Sequence, residues 1–114
     1  MAESLVLETR ESGEWSVVEV KGEVDLYTAP RLKTLLTDLT GAGRTRIAVV
    51  FGGVQFMDST GLGVLISGLK RCREGGGTLA LVAPTEPVRK ILGITGLDQV
   101  FEIHDDLAEA TSGS

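Results

Sequence analysis

Apolar positions along this chain alternate between short clustered runs and stripes at helical spacing, and the changes mark its elements. Leu5, Val6 and Leu7, and then Ser16 to Val20, read as two short strands with Glu11 to Glu14, around Ser12-Gly13, as the turn. A hairpin therefore opens the chain, with Trp15 beginning its second strand as a packing residue at the sheet edge. The run Glu23 to Tyr27 is too short to assign. Thr28-Ala29-Pro30 then starts a helix, a capping hydroxyl followed by proline in the first turn, where its missing N–H costs little. Leu32, Leu35, Leu36 and Leu39 give that helix one apolar stripe, and Gly41 and Gly43 stop it. Ile47 to Phe51 is an unbroken apolar run, as expected of a strand buried on both faces.

A second helix follows over about Ser59 to Glu74, with Leu62, Leu65, Ile66 and Leu69 at helical spacing and Gly75-Gly76-Gly77 behind it. Thr78 to Ala83 is again a continuous apolar strand. Strand, helix and strand at this length predict a parallel pair with a right-handed crossover. Thr85 as cap, with Glu86 and Pro87 in the first turn, opens a third helix carrying Val88, Ile91 and Leu92, closed by Gly93 or Gly96. Val100 to Ile103 reads as a last short strand, Asp105 or Asp106 as the cap of a final turn through Ala110, and Thr111 to Ser114 as a mobile tail. The expected fold is a single α/β domain over 1–114, with its core at about 5–110. Its mixed sheet has the antiparallel hairpin at one side, parallel strands elsewhere, and helices over at least one face.

Bulk properties narrow the function. The chain of 114 residues suffices to bury a core without disulfides or metal, and its net charge of −5 disfavours a nonspecific grip on nucleic acid or anionic lipid. Lys70, Arg71 and Arg73 fall in the last turns of the second helix, where cations offset the helix dipole at a solvated end. The one cysteine, Cys72, continues the face of Leu65 and Leu69 and reads as a buried thiol. No apolar run is long enough to span a membrane, and Met-Ala-Glu-Ser lacks the basic region that opens a targeting signal, so a cytoplasmic protein is expected.

The stretch Val54 to Leu69 carries the candidate chemistry, because Asp58, Ser59 and Thr60 stand together at a helix start where one capping oxygen would do. Aspartic-protease chemistry fails on spacing, since Gly61 follows Asp58 by three positions rather than two. A phosphate-binding loop fails because no lysine lies between Lys33 and Lys70. A serine nucleophile lacks a base, for the only histidine is His104, beside Asp105 and Asp106 and outside any motif. A zinc site lacks ligands, and Asp25 and Asp58 alone would hold at best a weak, hydrated Mg²⁺. Neither an enzyme nor a bound cofactor is expected. What remains is a serine at a helix N-terminus, where a phosphate would sit on free N–H groups and the positive end of the dipole. This reads as a binding face with a charge switch in its middle, against the plainer reading of a helix cap.

Three motifs carry a family resemblance: Gly22-Glu23-Val24-Asp25 with Thr28-Ala29-Pro30, then Phe56-Met57-Asp58-Ser59-Thr60-Gly61-Leu62-Gly63-Val64-Leu65, then Ile94-Thr95-Gly96-Leu97 before Val100-Phe101. In this order and spacing they resemble a STAS domain of the anti-sigma-factor antagonist type, particularly its actinobacterial members, over about Leu5 to Ala110. The resemblance implies a protein whose unphosphorylated form binds an anti-sigma factor, itself a serine kinase, and frees the sigma factor. It implies that Ser59 is the phosphorylated residue, with a PPM-type phosphatase restoring it. It also implies that Asp25, Asp58, Ser59, Thr60, Gly61 and Leu62 belong to the docking face. Val50 departs from the pattern, standing eight positions before Asp58, where the family usually has Asp or Asn close to the acceptor. That departure bears on phosphorylation of Ser59 more than on binding. A STAS scaffold subunit of a transporter complex is the alternative within the fold, and a small nucleotide-handling enzyme the alternative outside it.

Overall fold

The computed structural model describes residues 5–112, so Met-Ala-Glu-Ser and the last two residues of the expected tail lie outside the described residues. Five strands form one sheet in the order of the chain: β1 (Leu5–Ser12), β2 (Trp15–Val24), β3 (Arg46–Met57), β4 (Thr78–Val82) and β5 (Glu102–His104). β1 and β2 pair antiparallel through a tight turn in which Gly13 takes a φ of +62°, a conformation that suits glycine. Every later neighbour pair is parallel, because a helix carries the chain back each time. These helices are α1 (Ala29–Gly41), α2 (Ser59–Glu74) and α3 (Glu86–Thr95), and a short α4 (Leu107–Ser112) closes the chain.

The two faces of the sheet are covered unequally. Val18, Val20 and Val24 of β2, Ile47, Val49 and Phe51 of β3, and Leu79 and Leu81 of β4 are buried in one cluster with Leu32 and Leu36 of α1, Leu62, Leu65, Leu69 and Cys72 of α2, and Val88 and Leu92 of α3. On the other face Trp15, Ala48, Ala80 and Val82 form a smaller cluster with Ala110 and Leu107 of α4. Trp15 is thus a packing residue, but β2 is an inner strand, and the ring lies in this second cluster rather than at a sheet edge. Val50 packs against the same cluster, with its backbone level with Glu19 and Val82.

Several elements differ from the sequence reading. β3 continues to Met57, beyond the expected end at Phe51, because residues 53–57 pair with β2 alone after β4 has ended. β5 lies at Glu102–His104 rather than Val100 to Ile103. Val100 instead follows a 3₁₀ turn, Leu97–Gln99, that starts at Gly96, whose φ of +77° ends α3. Thr111 and Ser112 belong to α4 and not to a tail, with Asp106 Oδ1 accepting the Glu109 N–H at 2.8 Å as the cap. Neither Thr28 nor Thr85 caps its helix through its hydroxyl. Thr28 Oγ1 donates to the Glu23 carbonyl at 2.8 Å and Thr85 Oγ1 to that of Val54 at 2.7 Å, so each hydroxyl fastens its loop to a neighbouring strand. The basic end of α2 is only partly a solvated end. Arg71 donates to Thr37 Oγ1 on α1 at 2.9 Å, and Arg73 reaches the Val100 carbonyl at 3.4 Å.

Candidate functional site

The site begins with strand register. Val24 and Met57, the last residues of β2 and β3, are partners across the parallel ladder. The residues that follow them, Asp25 and Asp58, therefore leave the same edge of the sheet on adjacent strands. Adjacent strands run about 4.8 Å apart. The Asp58 N–H donates to the Val24 carbonyl at 3.1 Å, which fixes the start of α2 against the end of β2.

Asp58 is the N-cap of α2. Its backbone is extended, and its Oδ1 accepts the N–H of Thr60 at 2.9 Å and of Gly61 at 3.3 Å. This alters the expectation for a phosphate at this helix end. Two of the N–H groups that would have received it are held by the Asp58 carboxylate. Ser59, the first residue of α2, is exposed, and its hydroxyl has no hydrogen-bond partner among the described residues. A group added at the exposed Ser59 Oγ would have to compete with the Asp58 carboxylate for the N–H groups of Thr60 and Gly61. Thr60 is half-buried, whereas Gly61 and Leu62 are buried, so the last two shape the turn from beneath.

Asp25 organises the loop before α1. Its Oδ1 accepts the N–H of Tyr27 at 2.9 Å and of Thr28 at 3.0 Å and, at 3.2 Å, a share of the Thr28 hydroxyl, which donates mainly to the Glu23 carbonyl. Chiefly through the Thr28 N–H, and then through the Tyr27 N–H and the Thr28 hydroxyl, these bonds hold the carboxyl below its usual pKa although burial opposes them. The Asp25 N–H donates to Thr28 Oγ1 at 2.9 Å, and its carbonyl accepts from Ala29 at 2.8 Å. Asp25 and Asp58 thus each have one oxygen committed to donors of their own loops. Between the starts of α1 and α2 runs a groove of about 360 Å³, lined by Ala29, Pro30, Lys33, Thr60, Gly63, Val64 and Ser67.

The structure brings Asp25, Asp58, Ser59, Thr60, Gly61 and Leu62 to one corner, but not all to the surface. The other chemically suggestive residues lie elsewhere. His104 ends β5 with Nδ1 3.1 Å from Glu109 Oε1 of α4 and Nε2 3.6 Å from Glu102 Oε1, not facing Ser59. Cys72 is buried in the main core, and burial pushes its thiol up to about 11, which leaves it protonated at neutral pH. The sequence reading missed Leu26 and Tyr27 in the Asp25 loop, which are 63% and 85% exposed. The available signal was a pair of large side chains, one aromatic, next to a loop-forming Asp.

Comparison with known proteins bears on this corner. Residues 6–110 match the STAS domain family. The anti-sigma-B factor antagonist of Staphylococcus aureus (strain NCTC 8325 / PS 47) is 31% identical over 102 residues, which cover 90% of this chain and 94% of that protein. The crystal structure of an anti-sigma factor antagonist from Mycobacterium paratuberculosis has a TM-score of 0.86 at 27% identity, covering 94% of this chain and 91% of the other. The anti-sigma factor antagonist SpoIIAA in its unphosphorylated form shares the fold, with a TM-score of 0.81 at 23% identity over 92% of each chain.

Proposed function

The chain belongs to the STAS-domain family, and within it to the anti-sigma-factor antagonists, and on that premise we propose that its unphosphorylated form binds an anti-sigma factor and releases the sigma factor held there. The anti-sigma factor is in this reading also a serine kinase, and phosphorylation of Ser59 ends the association until a PPM-type phosphatase reverses it. The protein performs no catalytic step itself, binds no cofactor, and acts in the cytoplasm on another protein rather than on nucleic acid or membrane. No helix among the described residues is long and apolar enough to cross a membrane.

The observation that carries the reading is the state of Ser59: an exposed hydroxyl without a partner among the described residues, on a turn whose neighbouring N–H groups are already held by Asp58. Such a hydroxyl is open to a kinase. Its Oγ would attack the γ-phosphorus of ATP bound to the kinase, giving phosphoserine and ADP, with the hydroxyl proton passing to a base on the kinase. The new group adds about −1.5 to −2 charges. Because the Asp58 carboxylate competes for the nearest donors, that charge stays at the surface, where a docked partner must either desolvate it or be repelled by it. The cap itself is undisturbed, so the helix survives the modification and only the surface changes. Val50 is on the second face with α4, and its substitution for the usual polar residue leaves the Asp58 cap bonds intact.

The test is to incubate the chain with anti-sigma-factor kinases and ATP and to locate phosphate by mass spectrometry. One phosphate on Ser59, absent from Ser59→Ala, is expected. Modification confined to Thr60, or none with any kinase that phosphorylates a related antagonist in parallel, would contradict it.

A further inference from the structure

Leu26 and Tyr27 form the tip of the loop between β2 and α1, and both are mostly in solvent. A single exposed apolar residue needs no explanation, but two adjacent ones on a tip held this firmly do. The loop is fastened from both ends: Asp25 Oδ1 takes the N–H groups of Tyr27 and Thr28, Thr28 Oγ1 donates to the Glu23 carbonyl, and Ala29 donates to the Asp25 carbonyl. Neither side chain contributes to the buried core. The fold therefore holds an aromatic and an aliphatic side chain in water, on a backbone with little freedom left to lose.

We infer that Leu26 and Tyr27 are the apolar anchor by which the chain docks its anti-sigma factor, inserting into an apolar pocket of that protein, and that Asp25 is a positioning residue for them. The inference rests on the function proposed above and extends it to residues outside the Asp58 to Leu62 motif. The occupant follows from position. The tip leaves the strand residue next to Asp25, Val24 pairs with Met57, and Ser59 stands two residues beyond Met57, so a kinase that brings ATP to Ser59 covers this corner. A groove joins Ala29 and Pro30, which follow this loop in the chain, to Thr60 and Gly63 of α2. Tyrosine is over-represented among residues that dominate binding, and a preformed loop lowers the entropy lost on docking. An apolar contact beside Ser59 also gives the switch its force, since a phosphate there would have to be stripped of water as the anchor seats.

Calorimetry of the full chain against the purified kinase that modifies Ser59, with circular dichroism as the folding control, tests this. Tyr27→Ala is expected to weaken binding at least tenfold and Leu26→Ala severalfold, while Tyr27→Phe stays within about twofold. Asp25→Ala should weaken binding and Asp25→Asn, which keeps an acceptor oxygen, should largely restore it. Asp25→Ala combined with Tyr27→Ala should be little worse than Tyr27→Ala alone, which separates positioning from direct contact. If the chain binds, Ser59→Asp weakens it, and Leu26→Ala and Tyr27→Ala are both silent, the anchor is overturned and the function stands. If the folded chain does not bind the kinase at all, both fall together.

Discussion

A Cβ added to Gly61 would lie 2.8 Å from Val24 Cγ1 and 2.9 Å from Met57 Cγ, whereas one added to Gly63 would meet nothing within 4 Å. The first glycine lets α2 start directly against the ends of β2 and β3, and so sets where Ser59 stands. The second has no such duty in the folded chain. Gly61→Ala should therefore cost on the order of 1–3 kcal/mol as an overpacking change, and Gly63→Ala should gain about 0.5–1 kcal/mol from helix propensity. Urea unfolding of both variants checks the pair. Equal effects would mean that α2 does not start where it is placed. Asp25 gives a pH signature at the same scale. Its folded pKa is lowered, so its stabilising contribution is present above the ordinary carboxylate value near about pH 4 and is lost as pH falls through the folded value. Unfolding midpoints measured between neutral and acid pH should lose that portion of their slope in Asp25→Asn.

At the scale of elements, α2 carries most of the account, and its stability has two separable sources. Leu65 is fully buried among core residues, and Leu65→Ala should cost about 2–5 kcal/mol. The Asp58 cap should account for about 0.5–2 kcal/mol, lost in Asp58→Ala and mostly kept in Asp58→Asn, which retains an acceptor. Chemical denaturation distinguishes the two. A loss under 1 kcal/mol for Leu65→Ala would misplace the inward face. α2 was legible from its sequence because three signals agree on it: apolar residues at helical spacing, an Asp at its start and three glycines at its end. The end of β3 was not, because Gly52, Gly53 and Gln55 interrupt the apolar run where the strand loses β4 as a neighbour and Gly52 and Gln55 become exposed. β5 was displaced for a related reason. As a three-residue edge strand with Glu102 exposed, it carries less apolar character than the turn before it, where Phe101 is buried. Thr28 and Thr85 show a different limit. A hydroxyl before a helix can accept from the helix or donate to a carbonyl elsewhere, and only the fold decides which.

Across the whole molecule, the parallel strands send the loops into α1, α2 and α3 from one edge of the sheet, and the proposed docking corner is the meeting of the first two. The position of Ser59 was legible because its signals lie within one motif. The exposure of Leu26 and Tyr27 was not, since it depends on Asp25 turning its carboxylate into its own loop, and the commitment of the Thr60 and Gly61 N–H groups likewise depends on the rotamer of Asp58. On the function proposed above, that commitment would make phosphorylation of Ser59 a change of surface charge rather than of fold. A unit charge opposed at about 6 Å costs about 3 kcal/mol at an effective dielectric near 20, enough for roughly a hundredfold loss of affinity. Calorimetric titration of the anti-sigma-factor kinase with the unmodified chain and with the chain phosphorylated at Ser59, both verified as folded, tests this central claim most directly. The predicted result is a roughly hundredfold weaker association of the phosphorylated chain, with Ser59→Ala binding like the unmodified one and Ser59→Asp falling between. Equal affinity of the unmodified and phosphorylated chains would contradict it and leave Asp58, Ser59 and Thr60 as a helix start and nothing more.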